Sequence, residues 1–222
     1  MRSIRAIRSL LLLFGPLVVL MGCAVLQEGG EETLRLKEPR IYPIPESEWN
    51  EQQRQALTPL KREDGHVINL YTTLVRYPEL AQSWSAFGTH VMRDSALPPR
   101  DREILILRTG WLCRSEYEFG QHTLIGKRVG LSDGEILAVT QGLDSNAWSE
   151  FDAALIRAAD ELHHDAFITD DTWHVLAERY DEKQLIDVIM TVGQYHLVSM
   201  TLNSLGVQLD PGVPGFPRGV AE

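Results

Sequence analysis

Within ten residues, 113–122, the chain places Cys113, Ser115, Tyr117, Glu118 and His122. If this stretch is helical, residues three and four apart share a face, so Ser115, Glu118, His122, Ile125 and Val129 form one stripe. Gln121, Lys127 and Arg128 fall off it and are expected to take solvent. A carboxylate and an imidazole four residues apart, on a stripe that runs on into apolar residues, face inward and must satisfy each other or a ligand. Stranding a buried charge costs several kcal/mol. Such a pair supports proton transfer. An imidazole titrates near neutral pH, and a carboxylate bonded to it fixes its orientation and charge. His122 is therefore the expected general acid/base and Glu118 its orienting partner, with Ser115 and Tyr117 as candidates to hydrogen-bond a substrate oxygen. Glu103 shares a helical face with Ile106, Leu107 and Gly110. Two antiparallel helices joined around residues 110–114 would carry it towards His122 as a second proton carrier. An exposed pair with Arg100 is the competing placement. One histidine and two carboxylates, with no H-x-x-x-H pair and no thiol cluster, do not make a metal set, so no metal is expected.

The elements that must position these groups read as helices. In residues 68–92 apolar positions recur at helical spacing, and Pro78 divides the run into two helices. "ALPPRDREILILRTGWL" opens with prolines where a helix tolerates them and continues strongly apolar to Gly110. The stretch holding His122 should stop at Gly130, in the manner of a glycine just past a helix end. "LSDGEI" is a capping box. "DSNAWSEFDAALIRAADELHHD" and "TDDTWHVLAERY" are amphipathic, and "EKQLIDVIMTVGQYHLVSMTLNSLGV" is apolar nearly all round, as a central or interface helix would be. No strand alternation occurs, so the expected class is all-α.

At 222 residues, 44% hydrophobic, the chain is long enough for one globular domain with a proper core. A formal net charge of −10 argues against nucleic acid and anionic membrane surfaces as partners. The N-terminus has a basic start and an apolar run at residues 10–21, too short to span a bilayer comfortably, which reads as a secretion signal. The run ends in Leu20-Met21-Gly22-Cys23, which resembles the bacterial lipobox; the resemblance implies a lipid on Cys23 and, with Ala24 following, an outer-membrane lipoprotein facing the periplasm. If Cys23 is lipidated, Cys113 is the one thiol left, read as a small core residue, and no internal disulfide can form. The expected organisation is a signal peptide at 1–22, a lipidated flexible tether at 23–45, a helical domain at 46–210 opening near a Ser47 cap, and a loop tail at 211–222.

The run "LPPRDREILILRTGWLCRSEYEFGQHTLIGKRVGLSDGEI" resembles the carboxymuconolactone decarboxylase family, which also holds alkylhydroperoxidase D, and the resemblance extends over about residues 70–210. The family's peroxidase branch has a glutamate, then C-x-x-C, then a histidine. Glu103 and His122 match the ends of that pattern, while Ser115 and Glu118 fall where the two cysteines would be. The decarboxylase branch has a glutamate-aromatic-x-x-histidine arrangement, which Glu118, Phe119 and His122 reproduce. The chain thus resembles a thiol-free member. The resemblance implies an all-helical, AhpD-like fold in trimers or larger homo-oligomers, with no cofactor. The expected activity is that of a general acid/base lyase or isomerase on a small anionic lactone or keto-acid-like substrate. Peroxidase chemistry lacks its resolving thiol here. A non-catalytic envelope binding module on the same fold is a further alternative.

Overall fold

The computed structural model describes residues 36–217, which form an all-helical body with no strand. The expected signal peptide, Cys23 and the expected tether up to residue 35 lie outside the described residues. The helices are α1 (Glu51–Leu57), α2 (Asn69–Leu74), α3 (Pro78–Thr89), α4 (Pro99–Leu112), α5 (Glu116–Arg128), α6 (Asp133–Gln141), α7 (Glu150–Asp165), α8 (Asp170–Ala177) and α9 (Glu182–Leu205).

Local chemistry sets most of these ends. Proline opens α3 and α4, where its missing N–H would have had no helical partner. Ser132 and Glu135 form the capping box of α6, and Asp181 and Gln184 form that of α9. The domain's first cap is Asn50, whose side chain accepts from Gln53 N, and not Ser47, which lies in a short 3-10 turn, Glu46–Glu48. Gly130, at φ 101°, follows the end of α5.

The centre of the fold is the α4–α5 hairpin packed on α7 and α9. Ile104, Leu105, Leu107, Phe119, Leu155, Ile156, Val188 and Val192 are buried together there. The two helices pass close at Gly110, where a Cβ would make ordinary van der Waals contact with the Phe119 backbone, 3.4 Å from its N. The reversal runs through Arg114 in the left-handed region, φ 50°, with Ser115 N donating to Gly110 O at 2.8 Å. Arg108 of α4 ties the layers by donating to both carboxylate oxygens of Asp160, at 2.5 and 3.1 Å, and to the carbonyls of Val139 and Thr140.

Three segments depart from the sequence reading. Residues 36–45 pack on the helices: Arg40 N donates to Leu205 O, Ile44 N to Thr72 O, and Gln208 Nε2 to Leu36 O. These bonds extend the body beyond the expected boundary at 46. The tail is also docked as far as residue 217, with Phe216 stacked edge-on against Trp111 and Phe119. Gln121, expected in solvent, is buried and donates to Asp210 Oδ2 at 2.6 Å. The tertiary fold brings residue 210 back over α5, which local periodicity cannot encode.

Candidate active site

α4 contributes Glu103 and α5 contributes Glu118 and His122, and the hairpin brings the three together. His122 Nδ1 lies 2.6 Å from Glu103 Oε2, and its Nε2 lies 3.0 Å from Glu118 Oε1. All three are buried, Glu103 completely. Arg102 donates to the other oxygen of Glu103 at 3.3 Å. Arg100, the competing partner, bonds Asp152 and Glu135 instead. Burial alone would lower the pKa of His122, but the charges and hydrogen bonds of Glu103 and Glu118 outweigh it and raise it to about 10. The ring at neutral pH is an imidazolium donating to a carboxylate at each nitrogen. Because the two carboxylates approach opposite ring nitrogens, these three side chains do not converge on a point where one ion could sit.

One edge of this triad opens on a cavity of about 680 Å³, whose wall includes Glu118, His122 and the ring of Tyr117. Tyr71, Tyr195 and Gln194 complete the inner wall, and Arg62 and Arg93, both exposed, stand at the periphery. Tyr195 packs edge-on against the His122 ring and donates from its hydroxyl to Met92 Sδ. Burial, then the Glu118 and Glu103 charges, push the Tyr195 phenol well up, so it stays neutral and can only donate or accept a hydrogen bond. Met92 and Arg93 lie on a π-helical turn, His90–Asp94, that continues α3; such turns recur at functional sites.

The two expected substrate-binding residues are placed differently from His122. Tyr117 reaches the cavity with its ring, but its hydroxyl donates to Asp210 Oδ2 at 2.6 Å and accepts from Leu70 N. Ser115 is fully buried with no partner for its Oγ, and it does not line the cavity. Cys113 is half-buried at the end of α4, not a core residue, and does not line the cavity either. Sequence reasoning missed Gln194, Arg62 and Arg93. Gln194 is buried in the apolar α9 and its Oε1 has no partner. An amide at the middle of a largely apolar helix was the signal that could have found it.

Comparison with known proteins bears on the fold. Residues 78–161 match the family model described as the carboxymuconolactone decarboxylase family. No curated protein matches the chain. Among solved structures, the chain is similar to an alkylhydroperoxidase AhpD core protein, peroxidase-related, from Ralstonia eutropha JMP134, with TM-score 0.68 and 18% identity over 77% of this chain and 92% of that one. A peroxidase-related protein from Silicibacter sp. TM1040 superposes with TM-score 0.70 and 11% identity, over 80% and 96% of the two chains. The debrominase Bmp8 in complex with 2,3,4-tribromopyrrole gives TM-score 0.65 and 15% identity, over 79% and 94%. At these identities the likeness establishes a shared fold.

Proposed function

We propose, for a chain that belongs to the carboxymuconolactone decarboxylase and AhpD-like family, a cofactor-free general acid/base lyase or isomerase acting on a small anionic lactone or keto-acid-like substrate. The observation that carries this reading is His122, held between Glu103 and Glu118 on the wall of a cavity that, among the described residues, no cysteine lines. In this reading two of the roles expected from sequence are exchanged. Glu103, wholly enclosed and bonded to Arg102, is the positioning group that keeps the ring charged. Glu118, on the cavity side, is the proton acceptor. His122 is the acid: it donates from Nε2 to the carbon or oxygen where negative charge has collected, and it is restored in an isomerisation by the proton that Glu118 has taken from the substrate and in a decarboxylation by a proton from solvent.

In a decarboxylation the bond to the carboxylate carbon breaks, its electron pair moves into the conjugated carbonyl, carbon dioxide leaves, and the proton from His122 closes the new C–H bond. In an isomerisation Glu118 removes a proton from carbon and His122 returns one at another position. Arg62 and Arg93 favour an anionic substrate by charge, and the Gln194 amide offers it a hydrogen bond. Hydroperoxide reduction through thiols would need a cysteine in this cavity, and among the described residues its wall contains none.

The test is a thermal-shift screen against small lactones, keto acids and aromatic acids, followed by turnover and solvent-deuterium incorporation for any ligand that stabilises the protein. Glu118→Gln should retain the fold and ligand stabilisation while losing most of the deuterium incorporation. Undiminished incorporation in folded Glu118→Gln and His122→Gln would refute the assignment, as would efficient peroxide turnover with a dithiol reductant.

A further inference from the structure

Away from the cavity, the junction of α4 and α5 meets the last turn of α7 and the middle of α9, and three ligating side chains come together there. Cys113, His163 and His196 each offer one ligand atom, and these atoms lie within 4.8 Å of one another. All three residues are half-buried, so the group is shielded yet reachable from solvent.

The surroundings prepare the group for a cation. His196 Nδ1 sits 2.8 Å from the Val192 carbonyl oxygen, which can only accept, so the ring proton is on Nδ1 and the Nε2 lone pair points into the cluster. A backbone carbonyl that fixes the tautomer of a liganding histidine is the usual support around such metals. His163 Nδ1 lies 2.8 Å from that Nε2, so its N–H donates there, in the position a metal ion would take. His163 also occupies the last turn of α7, where the carbonyl end of the helix dipole favours positive charge. The Cys113 backbone is held in place by Asn203 Nδ2 donating to its carbonyl at 2.9 Å.

We propose that Cys113, His163 and His196 form a binding site for a divalent transition ion of the zinc class, held by one thiolate and two imidazoles with a fourth position open to solvent. The donor types decide the class: thiolate and imidazole suit zinc and its neighbours, whereas calcium and magnesium require oxygen ligands. Binding forms an M–S bond and two M–N bonds, and the thiol proton leaves to solvent; no electron is transferred. The site joins three elements that are far apart in sequence, and it lies outside the triad at His122. It revises the reading of Cys113 as a packing residue and the expectation of no metal.

Cobalt(II) titration of the full chain carrying Cys23→Ser, so that Cys113 is its one thiol, tests the site. Expected are a thiolate-to-cobalt charge-transfer band in the near ultraviolet, tetrahedral d–d bands in the visible, and displacement of both by one equivalent of zinc. Cys113→Ser should lose the charge-transfer band, and His196→Ala should lose the tetrahedral bands. Circular dichroism and melting without metal verify that both variants fold. The proposal is overturned if the Cys23→Ser parent chain shows only the weak spectrum of octahedral cobalt, or if the charge-transfer band survives Cys113→Ser. Should a variant fail to fold, zinc-dependent protection of Cys113 from alkylation in the parent chain decides instead: equal alkylation with and without zinc refutes the site. None of these readings depends on turnover at the His122 cavity.

Discussion

His122 carries its proton across most of the biological pH range because two buried carboxylates hold it, and this has measurable consequences. The folded ring keeps its proton up to about pH 10, while an ordinary histidine releases it near 6.5. Its contribution to stability is therefore complete below about pH 6.5 and lost as pH rises towards 10. Urea midpoints of the wild type should fall across that window, and those of His122→Gln should fall less. The same proton sets the basic limb of activity: the rate should decline near pH 10, not near 6.5, if His122 is the acid. Glu103→Gln removes the nearer charge, so the basic limb should move to lower pH even though this residue does not line the cavity. An unmoved limb in the folded variant would deny Glu103 its positioning role.

At the scale of elements, α5 is clamped on both sides. α4 presses on it through Gly110, and the chain after α9 crosses its other face at Gly120. A Cβ on Gly120 would run into the carbonyl oxygen of Pro214 and the side chain of Val213. Asp210 anchors that crossing: its side chain accepts from Tyr117, Gln121 and the Asn69 backbone, and it pairs with His66. Gly120→Ala should therefore destabilise the fold by about 1–3 kcal/mol, the usual range for overpacking. The loss should be read from denaturant midpoints, and faster proteolysis of the C-terminal segment should accompany it. A variant with unchanged stability and proteolysis would mean that the crossing segment is not held against α5.

For the whole molecule, the decisive feature is α9. It is long and apolar enough to cross a membrane by length and composition, yet half of its apolar window is buried inside this fold. The remainder shows Ile186, Ile189, Met190, Leu197 and Met200 to solvent as one stripe. A helix apolar on both faces needs cover on both, and homo-oligomers commonly supply it with copies of the same surface. Sedimentation of the full chain with Cys23→Ser should give a mass well above 25.1 kDa, and Ile186→Lys with Met190→Lys should shift it towards the monomer. A monomeric parent chain at micromolar concentration would remove the oligomer from the description of this protein.

The helical class, most helix ends and the inward stripe through Glu118 and His122 were legible in the sequence because each depends on residues within a few turns. Capping, proline placement and 3.6-residue periodicity are short-range physics. The same logic placed Glu103 near His122, because a tight hairpin leaves few options for two antiparallel helices. What periodicity could not assign was the division of labour. Which carboxylate meets Nδ1 and which faces the cavity depends on how α9 and the π-helical turn wall the site, and on Arg102 turning towards Glu103. The fate of the Tyr117 hydroxyl rested on Asp210, 93 residues away. Cys113, His163 and His196 are likewise scattered in the sequence, and only the packing of α7 and α9 against the end of α4 brings one thiol and two imidazoles within reach of a common ion. Contacts of that range are set by the whole fold's burial of apolar surface, so no local pattern announces them.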